Sequence, residues 1–380
     1  MALNPMRSDP KHLFILAGEP SGDRIGAALL HDLKDRTELA LSGVGGHFMA
    51  EEGLNSLYPM QDLSVMGFSD VFRRLPLLLW RLRQTARAIL KAQPDAVVLI
   101  DSQVFCAVLA KRLRKAGYQK PILLYVAPAV WAWKPERAPA FKALYDEILA
   151  VLPIEPAVMK KLGGPETHYV GHPALAATPW LPEQKAPGLV GLLPGSRDGE
   201  LNRHLPLLRS TVDKLAKHPS VSGFVMPTLP HLEVRLRNET RDWPAEVKIV
   251  VSKQERDAAI AQMHLAIVTA GTITLELALA GVPMIGTYVP DKRLLKHYEK
   301  AGRPLVALPN VLMNNRIVPE IVPGPDHADR LYNATLDLLN DPQQRKAQRD
   351  AFLSLREMMD KGTPDAPKEN ATDRVLASLD

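Results

Sequence analysis

Leu192-Leu193-Pro194-Gly195-Ser196-Arg197-Asp198-Gly199-Glu200 closes an apolar run that begins at Leu189. Such a run reads as a buried strand. Pro194-Gly195-Ser196 reads as a strand-ending turn, and the residues from about Glu200 to Lys217 have helical spacing. A strand, a small-residue loop and a helix in that order offer an anion free backbone N–H groups and a positive dipole end. Arg197 adds a planar cationic fork suited to phosphate. Alone, the stretch reads equally well as an ordinary strand-to-helix turn with a surface arginine. A second stretch of the same kind lies downstream. Met263 to Val268 reads as a strand ending in Thr269-Ala270-Gly271-Thr272-Ile273-Thr274-Leu275-Glu276, with a helix expected over Thr274 to Ala280. Glu276 falls in the expected first turn. There it can accept from two adjacent sugar hydroxyls, or act only as a dipole-favoured carboxylate.

The N-terminal half repeats the alternation. Leu13 to Ala17 reads as a strand, followed by Gly18-Glu19-Pro20-Ser21-Gly22-Asp23 and a helix from about Arg24 to Lys34. Gly18 and Gly22 allow close backbone approach, but the Gly-x-Gly-x-x-Gly spacing of a dinucleotide fingerprint is absent. Asp95 to Ile100 reads as a buried parallel strand with Asp101 at its C-terminal tip, where open α/β sheets bind ligands. A carboxylate there is placed for general-base work, or for capping the next helix. Pro121 to Val126 is a further strand. It ends in Ala127-Pro128-Ala129-Val130-Trp131-Ala132-Trp133-Lys134, a large stiff aromatic surface expected to wall an active cleft. Lys134 and Arg137 are available to an anion there. Thr178 to Pro187 is proline-rich and polar and reads as a linker between domains. Beyond it, Leu305 to Leu312 is expected to be a strand running into a loop at Asn310.

Between these units lies Val65-Met66-Gly67-Phe68, then Val71-Phe72, then Leu75-Pro76-Leu77-Leu78-Leu79-Trp80, with Arg73, Arg74, Arg81, Arg83 and Arg87 interspersed. Apolar residues cover more than one helical face. The segment reads either as a helix lying in a lipid headgroup layer or as a core helix with snorkelling arginines.

Totals bound the remainder. Net charge is +5 over 380 residues, which suits anionic substrates or an anionic membrane surface. The single cysteine, Cys106, excludes a disulfide framework and fits a reducing compartment. No apolar run is long enough to span a bilayer, so a cytoplasmic protein touching a membrane from one side is expected. There is no paired-histidine spacing, Cys-x-x-Cys, Walker loop or nucleophile elbow. No metal or cofactor is therefore expected. Basic and aromatic residues are too localised for a nucleic-acid groove. What is left is a metal-free transferase whose phosphate-bearing leaving group is neutralised by helix ends and Arg197.

Gly18 to Asp23, Val65-Met66-Gly67, Trp131-Ala132-Trp133, Val170-Gly171-His172-Pro173, Leu193 to Arg197 with Glu200, Gly271-Thr272 with Thr274-Leu275-Glu276, and Pro309-Asn310 together resemble the lipid-A-disaccharide synthase family, in its order and spacing. The resemblance covers about residues 12 to 320. It implies an α/β GT-B fold with two Rossmann-like domains facing each other across a cleft. These would be an N-terminal acceptor and membrane-docking domain at 1–180 and a UDP-sugar-binding domain at 186–345, with the helix of about 346–380 returning to the first. The implied reaction is an inverting transfer from UDP-2,3-diacylglucosamine to 2,3-diacylglucosamine 1-phosphate (lipid X), giving the lipid A disaccharide 1-phosphate and UDP. Asp101 would be the general base. Gly18, Ser21, Gly22, Gly195, Ser196, Arg197, Glu200, Gly271, Thr272, Glu276 and Asn310 would hold substrate, with Glu276 on the ribose. Val65, Met66, Phe68, Val71, Phe72, Leu75, Leu77, Leu78, Leu79 and Trp80 would dock on the cytoplasmic face of the inner membrane. No nucleic-acid partner is implied, and a homodimer is compatible with the chain. Ser102-Gln103-Val104-Phe105-Cys106 departs from the family's usual Ala-Pro-Asp-Phe-Asn. Rival readings are another UDP-sugar enzyme of this fold, or a silent membrane-associated nucleotide-sugar binder. The first has no use for the segment 65–79.

Overall fold

The computed structural model describes residues 10–64, 68–184 and 188–380. The chain divides into two compact units, one built from residues up to Pro173 with Lys361–Asp380, the other from Ala174–Asp360. The expected division at 180/186 thus falls earlier.

In the first unit the strands are β1 (Lys11–Ala17), β2 (Leu39–Val44), β3 (Ala96–Ile100), β4 (Ile122–Tyr125), β5 (Glu147–Ala150) and β6 (Glu166–Tyr169). They form one parallel sheet in the order β2-β1-β3-β4-β5-β6. The helices are α1 (Pro20–Lys34), α2 (His47–Glu51), α3 (Phe68–Ala92), α4 (Gln103–Lys115), α5 (Ala138–Phe141) and α6 (Glu155–Lys161), and α7 (Pro173–Ala177) follows at the division. Leu13 to Ala17 and Ala96 to Ile100 are buried along their whole length, because crossover helices cover both faces of a parallel sheet.

The second unit repeats the plan with β7 (Gly188–Leu193), β8 (Val221–Pro227), β9 (Val247–Val250), β10 (Met263–Thr269), β11 (Met284–Thr287) and β12 (Glu320–Ile321). Its parallel order is β12-β11-β10-β7-β8-β9. The helices are α8 (Asp198–Leu215), α9 (Glu233–Thr240), α10 (Lys253–Gln262), α11 (Thr272–Ala280), α12 (Lys292–Lys300), α13 (Leu308–Met313), α14 (His327–Asn340) and α15 (Pro342–Lys361). α16 (Ala371–Leu379) belongs to the first unit.

The strand order places each site. β1 lies between β2 and β3, and β7 between β8 and β10. The winding reverses between β1 and β3, and again between β7 and β10. The crevice at the carboxyl ends of such strands is where doubly wound sheets take ligands.

Two expectations need correction. Residues 308–313 are the helix α13, not strand; Pro309 near its start supplies a helical φ where a missing N–H costs nothing. The return to the first unit comes at 361, not about 346. α15 is held in the second unit by its polar side chains. Gln348 bonds both the N–H and the carbonyl of Met284 (2.9 and 3.0 Å). Arg345 serves the carbonyls of Leu338 and Leu339, and Arg356 those of Thr178 and Leu279. In the first unit, α16 packs against α1 and β1, and Arg374 forks onto Glu147 at 2.8 and 2.9 Å.

α3 has two characters. Leu82, Ala86 and Ile89 are buried, while Leu75, Leu79 and Trp80 are 42%, 43% and 53% exposed. Leu77 and Leu78 are half-buried, so their expected outward role passes to Leu75, Leu79 and Trp80. Leu75, Leu79, Arg83 and Arg87 follow one another at four-residue steps, which puts them on one face. Arg81 is occupied by Asp62 (2.6 and 2.8 Å) and stacks between Tyr58 and Trp80. Val65 and Met66, and the side chains of Phe68, Val71 and Phe72, lie outside the described residues. Among the described residues no helix is long and apolar enough to cross a membrane.

Candidate functional site

The first unit's site is built where β1 and β3 end. Asp101 and Ser102 both take left-handed backbone, with φ of 54° and 38°. Such strain persists only where the surroundings enforce it, and here it turns the chain off the strand tip into α4. The Asp101 N–H still donates to the Tyr125 carbonyl at 2.9 Å, continuing the ladder to β4. Its half-buried carboxyl is pushed above the ordinary carboxylate range by burial. Hydrogen bonds from the Ser102 N–H and the Ser21 hydroxyl oppose that shift. Glu19, which leads into α1, is raised too, first by loss of water around its carboxyl and then by the Asp101 charge. Asp101 thus disfavours the ionisation of Glu19 on the same rim. Glu19 is a site residue the sequence reading did not single out, although it stands inside the quoted Gly18–Asp23 motif.

Gly18 and Gly22 of that motif pack against the neighbouring strand tip. A Cβ on Gly18 would meet Ser102 Oγ at 2.0 Å, and one on Gly22 would sit 3.3 Å from both Ala17 and Ile100. The close approach these glycines permit is to the neighbouring strand tip. Asp23, 2% exposed, accepts from the N–H groups of Gly46, Phe48 and Met49 (2.7 to 3.2 Å) and so caps α2. Val104, which stands where the family usually has an aspartate, is 73% exposed at the start of α4. Arg137 stacks 5.2 Å from the Phe141 ring. Burial pushes His172 down to about 4, which keeps it neutral.

In the second unit, the loop after β7 turns at Gly195, whose φ is +104°. Glu200 organises it. One carboxylate oxygen accepts from the N–H groups of Ser196 and Arg197 (3.0 and 3.2 Å), and the other from the Arg197 guanidinium at 2.9 Å. Glu200 is thus the N3 partner that closes the start of α8. A carboxylate in this place takes up the loop's N–H groups and does not itself attract phosphate, so the substrate role expected for Glu200 becomes a supporting one. Arg197 remains 82% exposed along its side chain.

The second loop leaves β10 through Ala270 and exposed Gly271, with open space where a Gly271 side chain would stand. α11 begins at Thr272, two residues earlier than expected, so Glu276 is its fifth residue and not in the first turn. Glu276 is exposed. Buried Thr274 ties the loop down. Its hydroxyl donates to the Gly271 carbonyl at 2.7 Å and accepts the Leu308 N–H at 3.1 Å.

His204 joins the two loops, and no local pattern of residues singles it out. Its ring is fully buried; Nδ1 lies 2.8 Å from the Glu200 carbonyl, and Nε2 3.1 Å from Thr269 Oγ1 and 3.0 Å from the Val289 N–H. The Val289 N–H needs an acceptor and the Glu200 carbonyl needs a donor. These two bonds fix the proton on Nδ1. Burial lowers its pKa, consistent with a neutral ring.

Asn310, expected to touch substrate, is 0% exposed and fully bonded within the protein. Its amide donates to Val318 O and Glu320 Oε1 (both 2.8 Å), and its oxygen accepts from the N–H groups of Ile317 and Val318 (2.9 and 2.8 Å). The Glu320 carboxylate also accepts from Val306 and Ala307. Its other oxygen is buried without a partner beside a small cavity lined by Ala270, Gly286, Thr287 and Tyr288. Among the described residues no cluster of His, Cys, Asp or Glu is arranged to hold a metal ion.

With this geometry in place, comparisons identify the kin. A model of the family described as lipid-A-disaccharide synthetase matches residues 13–372. A lipid-A-disaccharide synthase of Rhodopseudomonas palustris is 39% identical over 376 residues, 96% of this chain and 95% of the relative. In structure, a UDP-GlcNAc 2-epimerase from Neisseria meningitidis bound to UDP-GlcNAc superposes with TM-score 0.59 at 12% identity, over 92% of this chain and all of the other. The glycosyltransferase of kitacinnamycin gives 0.58 at 16% identity, over 98% and 100%. The last two likenesses speak for the fold, the GT-B pair of Rossmann-like units.

Proposed function

The chain belongs to the lipid-A-disaccharide synthase family, and from that premise we propose how its two rims divide the reaction. The enzyme is a glycosyltransferase of lipid A biosynthesis that joins UDP-2,3-diacylglucosamine to 2,3-diacylglucosamine 1-phosphate. The first unit takes the acceptor. The 6-hydroxyl gives its proton to the Asp101 carboxylate as its oxygen forms the bond to the sugar C1. The C1–O bond to UDP breaks, and UDP leaves with the electron pair. Raised above the ordinary range, Asp101 is a stronger base than a solvated aspartate. Burial holds it there, against the hydrogen bonds from Ser102 and Ser21. The second unit takes the UDP-sugar, with the diphosphate over the Gly195–Arg197 loop and the Gly271–Thr272 helix start and Glu276 on the ribose hydroxyls.

The observation that carries this reading is the pairing, in one unit, of a carboxylate at the switch point with an exposed apolar face on α3. That helix starts from the same sheet edge, since it follows β2 and leads back to β3. A sugar site next to a lipid-seeking surface suits a substrate that is both. The test is product formation from the two acylated substrates, in excess EDTA, read by mass spectrometry. Absence of the tetra-acyl disaccharide 1-phosphate with well-folded protein rejects the assignment.

Two outcomes follow. Arg197→Ala should weaken UDP binding about tenfold by titration calorimetry, since one charge-assisted hydrogen-bonding fork is lost. Unchanged affinity removes Arg197 from the diphosphate site. Replacing Leu75, Leu79 and Trp80 together by serine should lower sedimentation with anionic liposomes by at least about tenfold, given the apolar area withdrawn from lipid. Folding and turnover on detergent-dispersed substrate should be retained. Equal sedimentation returns α3 to a purely structural role.

A further inference from the structure

The loop after β4 begins beside Asp101, because the Tyr125 carbonyl accepts the Asp101 N–H. Non-glycine residues in left-handed backbone bracket it: Val126 at φ 77° and Lys134 at 55°. For a β-branched valine this conformation is strained, so the loop needs an external hold. The Val126 N–H donates to Leu149 O at 2.9 Å, which fixes one end. The middle is fixed from below by Glu155. That residue opens α6 and is 3% exposed. Its carboxyl accepts from the Leu152 N–H at 3.0 Å and the Trp131 indole N–H at 3.4 Å. Burial pushes it up to about 8, against hydrogen bonds from Leu152, Trp131 and Val151. No lysine, arginine, histidine or other carboxylate contributes to that shift. Helix capping alone accounts for the Leu152 bond but not for the indole. Trp131 is half-buried by this contact, while Trp133, two residues on, stands 47% exposed with the Lys134 ammonium 5.8 Å from its ring.

We infer that Glu155 is a positioning residue for the acceptor: by holding the Trp131 indole it sets the 127–134 loop as a rigid aromatic wall, with Trp133 and Lys134 facing an acylated sugar phosphate. The inference rests on the acceptor assignment to the first unit. Aromatic faces pack on the apolar side of a sugar ring or an acyl stem, and the ammonium pairs with the phosphate.

Three proteins test it: Glu155→Leu, Trp131→Phe and the double variant. Trp131→Phe keeps the ring and the α6 cap and removes only the N–H, so it stands in if Glu155→Leu folds poorly. Each single variant should raise the acceptor KM about tenfold with the donor KM within about twofold, because a displaced wall costs orientation. The double variant should be no worse than the poorer single one, since both remove the same contact. Unchanged acceptor KM, or effects that multiply, overturns the proposal. A second readout is independent of turnover. Trp131 fluorescence, isolated as the difference between wild type and Trp131→Phe, should shift as pH crosses about 8. The same difference taken between Glu155→Leu and the double variant should stay flat. Identical pH responses overturn the clamp. A correct response in a protein that makes no disaccharide keeps the clamp and rejects the acceptor reading instead.

Discussion

Asp101→Asn should lower the rate of disaccharide formation by about a thousandfold while leaving UDP affinity within about twofold, as expected when a positioned general base is removed. Asparagine preserves volume and the Ser21 contact, so the left-handed turn at 101–102 should persist, and the loss should appear in kcat. The pH dependence gives a second signature. A base acts only when ionised. Burial raises the Asp101 carboxyl above the ordinary value near 4. Wild-type activity should therefore climb as pH rises through that elevated value, and the climb should vanish in Asp101→Asn. Glu19→Gln should leave the acid limb in place, because burial and not the Glu19 charge raises Asp101, and it should not abolish turnover. If Asp101→Asn retains wild-type kcat, the base lies elsewhere and the first unit's rim has been misread. The departure at Val104 sharpens the experiment. With an exposed valine on α4 where the family usually has a carboxylate, Asp101 and Glu19 are the acids that the described residues bring to this strand tip.

The sequence carried much of this because buried parallel strands are short apolar runs with the ligand-facing residue just beyond each run. Asp101 after Ala96–Ile100, Gly195 after Gly188–Leu193 and Gly271 after Met263–Thr269 are all legible that way. What stayed hidden depends on partners distant in sequence. Nothing local says that His204 accepts from Val289, or that Asp23 caps a helix two elements on. Glu200 was legible as an N3 glutamate from its spacing, but a family motif lent it a ligand's role. Residues 308–313 misled because an apolar hexapeptide carries too few residues to separate a helical period from a strand.

Asn310 shows the same limit and supplies the largest stability effect. The family motif at Pro309-Asn310 suggests a ligand contact, yet both ends of the Asn310 amide are occupied inside the fold. Alanine there would leave the Val318 N–H and carbonyl without a partner in a site closed to water, while the Ile317 N–H keeps the Asn315 carbonyl and Glu320 Oε1 keeps the Val306 and Ala307 N–H groups. An orphaned buried group costs about 1–3 kcal/mol, so two in one site cost about 2–5 kcal/mol together. For a unit of this size that corresponds to a melting point lower by roughly 10 °C. The donor KM should change less than about threefold below the transition, because the carboxamide itself reaches no substrate. The loss should be specific to the second unit: proteolysis during mild heating should open the chain within 174–360 first. Asn310→Asp should be little better. Its second oxygen cannot donate to Val318 or Glu320, and it sets a carboxylate against the Glu320 carboxylate. A variant that melts with wild type but binds UDP-sugar tenfold more weakly would falsify the structural role and restore Asn310 to the list of ligand-contacting residues.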